Sequence, residues 1–465
     1  MSEKRDLLII GAGPGGYVAA IYAAKKGYKV TLVDKSYIGG TCLNIGCIPT
    51  KSLIHSASLY HEAISNEEFG LNVSDARIDL EKAVSKKEEI RKTLIDGIVF
   101  LLNKYNVEII FGTAKLTGNH TASITTETKN LEIEASNIII STGSKTKHLP
   151  LEGFDLPGVM DSEALLDNKK LPRSLTVIGG GIIGMEFAFM YGMMGVNVNV
   201  VEFLPNILPL IDRDVSLRLI RFAKQNNISI QTSSQVTKIE KLDDGTLRTH
   251  FILKGNQNYV DSDLVLEAVG RVPVIEGIGL ENTDIVFEKK GIVVDSSMKT
   301  NLENVYAIGD VTGIMQLAHV ASHQAIIAVD NMMGNQAKME YDYIPSVVFT
   351  SPQIASVGKM ESVLKDEEAS YRVFKVPFSA NGRAVLMNQS FGFIKMLIDN
   401  QSNKLLGATV FGGDAEHLVS QLTIMMKNHL TFEEIKETVF SHPTTSELIH
   451  EGALGVLKEA IHFVD

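Results

Sequence analysis

The hydrophobic pattern opens with four apolar residues in a row, Leu7-Leu8-Ile9-Ile10. A run that short, stopped by glycine, predicts a strand buried on both faces, as in a parallel sheet. Gly11-Ala12-Gly13-Pro14-Gly15-Gly16 follows, then an alanine-rich helix over 17–26 with Gly27 as its stop, then a strand over 29–33 ending at Asp34. The same order returns later. A strand over 175–178 leads to Gly179-Gly180-Gly181-Ile182-Ile183-Gly184, a helix over 185–194, Gly195, and a strand over 197–201 ending at Glu202. First glycine and acid are 23 residues apart in both copies (34 − 11 and 202 − 179). An internal repeat of this kind predicts two Rossmann-like units.

Between the copies, the pattern predicts helices over 51–64 and, amphipathic and charge-rich, over 79–103. His55 and His61 on the first read as ordinary surface or core histidines. Residues 107–111 and the Thr/Ile alternation over 122–133 predict strands of an antiparallel layer. Ile138-Ile139-Ile140 closes the sheet, before a turn at Ser141-Thr142-Gly143. Further on, 304–310 reads as a strand ending in Gly309-Asp310, with a helix after it. From Pro345 the chain alternates apolar runs (346–350, 392–398, 405–410) with turns, then helices over 415–428 and 432–437. That predicts a separate antiparallel sheet with helices. The fold class is therefore α/β: two Rossmann-like dinucleotide-binding domains plus a C-terminal α+β domain.

The totals narrow the function. A chain of 465 residues exceeds one ordinary core, so two to four domains are expected. The net charge is −11 and no basic run occurs, which argues against nucleic-acid binding. No apolar stretch approaches the roughly 18 residues of a membrane span. Met1 to Asp6 runs straight into a strand, so no signal peptide is expected. Two cysteines are too few for a secreted disulfide scaffold, and a cytoplasmic enzyme with one redox pair fits better. The chain has no Trp and 16 Met; Met190, Met193 and Met194 read as core filler.

The glycine turns suit pyrophosphates, because glycine admits close backbone approach and the helix N-terminus carries partial positive charge. Asp34 and Glu202 can each accept hydrogen bonds from a ribose. A carboxylate repels a 2′-phosphate, and Phe203-Leu204-Pro205-Asn206 offers no cation, so Glu202 predicts NAD over NADP. Two dinucleotides imply electron transfer between them. Cys42 and Cys47, the chain's whole cysteine content, lie five apart. An ideal helix would separate them by about 7.5 Å along its axis, so pairing within roughly 7 Å needs a turn between them, which Gly46 makes cheap. Two inert buried thiols remain the other reading. Asp310 suits a polyol or ribose chain, or equally a helix N-cap. His442, with Glu447 five residues on, suits either a structural role or a general base.

Gly39-Gly40-Thr41-Cys42-Leu43-Asn44-Ile45-Gly46-Cys47-Ile48-Pro49, both glycine fingerprints, the Gly309-Asp310 turn and His442-Pro443-Thr444 together mark a family. Over nearly its whole length the chain resembles the flavin-dependent pyridine nucleotide-disulfide oxidoreductases, and is most similar to their dihydrolipoamide dehydrogenase branch. The resemblance implies FAD at Gly11, Gly13, Gly16 and Asp34, with Gly40, Thr41, Thr142, Gly143, Gly309, Asp310 and Ala318 also at the cofactors. It implies NAD at Gly179, Gly181, Gly184, Glu202 and Gly270, and a Lys51–Glu186 ion pair beside the flavin. It implies a disulfide between Cys42 and Cys47, with Cys42 attacked by the substrate and Cys47 facing the flavin. It implies a homodimer in which His442, oriented by Glu447, serves the other subunit's disulfide. The implied substrate is dihydrolipoamide, carried on a lipoyl domain, and the implied docking partner is the E2 subunit of a 2-oxo acid dehydrogenase complex or a lipoyl carrier protein. A reductase of another small disulfide is the alternative. The implied domains are FAD-binding (1–149), NAD-binding (150–270), central (271–343) and interface (344–465). Three positions depart from the branch pattern: Thr50 for Ser, Val274 for Asn, and Phe440 for a further histidine.

Overall fold

Residues 3–464 are described by the computed structural model; Met1 and Ser2, in the N-terminal stretch read above, and Asp465 lie outside them. Glu3–Ile10 runs through the middle of a seven-stranded sheet. Val30–Asp34 pairs with it on one side and Asn130–Ile140 on the other, both parallel. The register aligns Ile10 with Val33 and with Ile140. The carboxyl ends of these strands therefore stop at one level, and the loops that follow share one edge, where open α/β sheets bind ligands.

Two expectations for this sheet change. Glu108–Phe111 pairs parallel with Val30–Asp34, Thr31 opposite Glu108, and is not antiparallel. The long helix Leu80–Lys104 carries the chain back across the sheet first, which is the crossover a parallel neighbour needs. The Ile138–Ile140 run does not close the sheet either. Val305–Ala307 pairs beyond it, with Val305 opposite Ile138. Only Thr113–Gly118, Thr121–Thr125 and the first half of Asn130–Ile140 form the expected antiparallel layer.

The second unit repeats the first as a five-stranded parallel sheet, with Ser174–Ile178 between Asn197–Val201 and Leu264–Glu267. A three-stranded antiparallel layer, Ser234–Lys241, Leu247–Leu253 and Asn256–Ser262, adjoins it and was not foreseen. Helix Ile182–Met193 is buried from Gly184 to Met193, Met190 and Met193 included, and Met194 after it is buried too. Glu186 apart, it is apolar on every face because neighbouring elements enclose it. Leu53 and Ala57 of helix Cys47–Ser65 share its core. The cysteine-bearing helix is thus packed against the second unit.

Beyond Pro345, five antiparallel strands run in the order Ser346–Val348, Gln353–Gly358, Leu405–Gly412, Phe393–Asp399, Tyr371–Pro377. Helices Ala415–Lys427, Phe432–Glu437 and Glu447–Val456 pack on this sheet around a core of their own. Among the described residues, no helix is long and apolar enough to cross a membrane.

Candidate active site

One cavity of about 2120 Å³ takes in both glycine turns, Cys42, Cys47, Lys51, Glu186, Gly270 and Asp310. The glycines divide into two kinds, the same way in both copies. A Cβ on Gly11 would lie 2.2 Å from the Ser141 carbonyl oxygen, and one on Gly16 1.7 Å from that of Gly11. In the second copy, Gly179 and Gly184 meet Ala268 and Gly179 oxygens at 2.4 and 2.0 Å. These four glycines are demanded by strand–helix packing. The middle glycines are not: a Cβ on Gly13 meets nothing closer than 3.9 Å, and one on Gly181 nothing within 4 Å. Glycine there keeps open the approach to helices Pro14–Lys25 and Ile182–Met193, whose first N–H groups lack partners within the helix. Both clefts thus fit a pyrophosphate.

The two acids are placed alike. Asp34 Oδ2 accepts from the Ala12 N–H at 2.7 Å and Oδ1 from Ser36 at 2.8 Å. Glu202 is buried; Oε2 accepts from the Gly180 N–H and Oε1 from the Leu204 N–H at 2.5 Å. Asp34 Oδ2 and both Glu202 oxygens each keep a second lone pair to offer a hydroxyl, whereas Asp34 Oδ1 already accepts from the Ser36 and Tyr37 N–H groups.

The backbone between the cysteines is broken as their spacing requires. Cys42 sits in a short helix, Gly40–Asn44, and Cys47 opens the next, Cys47–Ser65. Gly40 lies so close to Gly13 that its Cβ would be 2.5 Å from the Gly13 Cα, and the Gly39 N–H donates to the Ala12 oxygen at 2.9 Å. The cysteine loop is therefore seated on the first glycine turn. Thr50 Oγ1 donates to the Gly46 oxygen at 2.7 Å, a bond the usual serine would make equally. Arg91 donates to Asn44 Oδ1 at 2.9 Å and braces the loop from the long helix.

Both cysteines are free thiols and hydrogen-bonded to each other. That bond raises Cys42, with burial adding to the rise. The same bond lowers Cys47 to about 7, against its burial and with help from Lys51. Cys42 S–H is thus the donor and Cys47 the stabilised thiolate. Cys47 stands at the first position of its helix, where the N-terminal partial charge favours an anion. It is crowded by protein atoms yet faces the open cavity. Lys51 Nζ meets Glu186 at 2.7 Å and lies 4.8 Å from the Phe349 ring centroid. The Phe349 N–H also donates to Glu186, at 3.1 Å.

Asp310 stands in a single turn of tight helix, Gly309–Thr312, and not at the N-cap of the following helix, Ala318–Met332. Ser144 Oγ donates to its Oδ2 at 2.6 Å, and Arg271 donates to Ser144 Oγ at 2.7 Å and to Thr41 Oγ1 at 3.4 Å. Burial pushes the Asp310 carboxyl up, against that bond and Arg271. Ser144 and Arg271 are not among the residues the sequence points to. Val274 holds Thr142 and Gly143 by backbone alone, its oxygen accepting from Thr142 and its N–H donating to Gly143, so losing an Asn side chain leaves these bonds intact. Ala318 opens its helix on the cavity wall.

His442 and Glu447 do pair, Nδ1 to Oε1 at 3.0 Å. Burial raises Glu447, but the Thr444 N–H and His442 outweigh it and hold the carboxyl low. An ionised Glu447 fixes the proton on Nδ1 and leaves Nε2 outward as acceptor. Neither residue lines the cavity of its own chain. Phe440 does not line it either; its ring packs on the C-terminal core, 5.6 Å from that of His450.

Similarity to known proteins agrees with this geometry. The family model described as pyridine nucleotide-disulphide oxidoreductase matches residues 5–325, and that family's dimerisation domain matches 344–453. The chain is 38% identical to a dihydrolipoyl dehydrogenase of Zymomonas mobilis over 100% of both chains. It is 37% identical to one of Chlamydia muridarum over 99% of both. The solved structure of the HOCl-induced flavoprotein disulfide reductase RclA from Escherichia coli, as its Cu(II) complex, superposes with a TM-score of 0.87 at 30% identity, covering 97% of this chain and 99% of that one. With two thiols, two dinucleotide clefts and a buried ion pair around one cavity, the chain belongs to the pyridine nucleotide-disulphide oxidoreductases.

Proposed function

We propose that the chain is an NAD-dependent dihydrolipoyl dehydrogenase, oxidising dihydrolipoamide to lipoamide. One observation carries this reading: the Cys42–Cys47 dithiol opens into the same cavity as both glycine clefts. Full-length likeness to dihydrolipoyl dehydrogenases supports the substrate. FAD would be held by the first cleft with Asp34, Thr41, Lys51 and Asp310, and NAD by the second with Glu202 and Gly270. Bound, the flavin would supply a two-electron acceptor for the dithiol and the nicotinamide a hydride acceptor for the flavin.

The residues divide the work as follows. In the oxidised enzyme Cys42 and Cys47 form a disulfide. A substrate thiolate attacks the Cys42 sulfur, and Cys47 leaves as the thiolate its surroundings favour. The second substrate thiolate attacks the first substrate sulfur, which closes the lipoamide ring and releases Cys42. His442 takes the substrate's proton, with Glu447 stabilising the imidazolium. Because His442 lies outside its own chain's cavity, we assign this step to His442 of the partner subunit in a homodimer. The dimerisation-domain match at 344–453 is consistent with that. The four-part division at 149, 270 and 343, a cytoplasmic location and delivery of substrate by the lipoyl arm of an E2 subunit complete the proposal.

The test is oxidation of free dihydrolipoamide by the FAD-containing protein with NAD+, with and without His442→Ala. Rapid turnover lost in the variant is expected; no turnover by the wild type defeats the reading. A reductase of another small disulfide is favoured by one observation, the likeness to RclA. Turnover of other disulfides with NADH, but not of dihydrolipoamide, would establish it.

A further inference from the structure

Lys395 occupies the middle of strand Phe393–Asp399, whose side chains are otherwise almost all apolar and buried. Its own exposure is 1%, yet it carries a charge into that core. Three carboxylates meet it: Asp212 at 3.0 Å, Asp214 at 3.0 Å and Glu361 at 2.6 Å. Lys375 joins Asp214 at 2.6 Å, and Lys365 joins Glu361 at 2.8 Å. Three cations thus balance three anions. The partners come from two units. Asp212 and Asp214 lie where the second nucleotide unit leaves its cleft; Glu361 and the lysines belong to the C-terminal unit.

Asp212 makes the purpose legible. It is the N-cap residue of helix Arg213–Ala223, where aspartate ordinarily caps its own helix, but its side chain makes no capping bond. It reaches across instead, to Lys395 and to the Glu361 N–H at 2.9 Å. The stretch between Glu202 and Asp212 forms a wall of the cavity through Phe203, Leu208 and Leu210, and Met360, just before Glu361, lines it too. The middle of that wall is tied to the glycine turn, Leu208 N–H to the Gly180 oxygen at 2.9 Å. Lys395 ties the far end. A buried ion cluster adds little stability over an apolar core; its best-attested use is to favour one arrangement of the elements it joins.

We propose that Lys395 is a positioning residue for the dinucleotide: its ion cluster locks the 203–212 wall of the second cleft to the C-terminal unit in the binding geometry. This rests on the second cleft's being the NAD site. Without the lysine, Asp212 is released and the wall samples open positions that must be recovered on binding.

The probe is NAD+ itself, titrated calorimetrically into the oxidised, FAD-containing protein, so no turnover is involved. Lys395→Met is expected to weaken NAD+ binding about tenfold. It should raise KM for NAD+ while leaving kcat and KM for the dithiol near wild type, and should speed amide exchange across 203–212. Asp212→Asn, which keeps size and the Glu361 bond, is expected to act in the same direction and serves where Lys395→Met does not fold. Wild-type affinity and unchanged exchange in the variant that folds would overturn the proposal. So would equal losses of NAD+, FAD and dithiol turnover, the mark of general destabilisation. A wild type that binds no NAD+ would instead overturn the assignment of the second cleft.

Discussion

Cys42→Ala tests what makes Cys47 a thiolate. In the reduced protein the Cys42 S–H donates to Cys47 and holds it near 7, against an ordinary 9.0. Alanine deletes the donor but leaves the burial that opposes ionisation, so Cys47 should move up toward 9. At pH 7 its ionised fraction would fall from one half to about one in a hundred, roughly 50-fold. A more basic thiolate is also the better nucleophile, by about 8-fold over two units for a Brønsted slope near 0.45. Alkylation of Cys47 by iodoacetamide should then be about 6-fold slower at pH 7 yet several-fold faster at pH 10. The two pH profiles cross, which no simple change in access would produce. Mass spectrometry of the Cys47 peptide gives the rate; in the reduced wild type Cys42, held well above its usual range, stays unmodified across neutral pH. Cys42→Ser, whose hydroxyl still donates, should fall between. A Cys42→Ala profile with the wild-type midpoint would refute the argument.

Other perturbations follow from the same contacts. Gly13→Ala should fold normally but lose FAD on gel filtration, and Gly181→Ala should weaken NAD+ binding, because a methyl there meets only the open clefts. Gly11→Ala should fail to give folded protein, because its methyl would sit 2.2 Å from a backbone oxygen at φ +103°. Lys51→Met strands the buried Glu186 with one N–H partner and should cost about 3–5 kcal/mol in urea denaturation. It should raise the Cys47 midpoint less than Cys42→Ala does, since the Cys42 bond lowers Cys47 more than the Lys51 charge does. Burial pushes Glu361 up, but Lys365 and Lys395 outweigh it and take the carboxyl from 4.5 down to about 2. A depressed carboxyl contributes stability above pH 4.5 that is lost as pH falls from there toward 2. Glu361→Gln should flatten that part of the acid-denaturation curve.

Local pattern was enough for both Rossmann-like repeats, the long charged helix, the C-terminal sheet and the cysteine motif. Each is written in neighbouring residues: an apolar run, a glycine spacing, a 3.6-residue stripe. It was not enough for Val305–Ala307, which completes the first sheet from 167 residues beyond its paired positions (305 − 138), or for the parallel pairing of Glu108–Phe111. Strand direction and sheet order are set by where intervening segments turn, and no short window contains that information. The antiparallel layer from Ser234 to Ser262 was missed although its strands are consecutive.

The site divides the same way. Cys42, Cys47, Gly11, Gly179, Asp34 and Glu202 were legible as candidates because residue type and spacing mark them, the cysteines five apart and glycine and acid 23 apart in both copies. The Lys51–Glu186 pair came from resemblance, since its partners lie 135 residues apart. Ser144 and Arg271 behind Asp310, Arg91 behind the cysteine loop and the Lys395 cluster carry no local signature; ordinary polar residues acquire those roles only once packing removes water from around them. By itself, then, the sequence determined which elements form and which chemistry each turn can hold. Folding decided which charges face one another, because burial and distance, the two quantities that set an ion pair's strength, exist only in three dimensions.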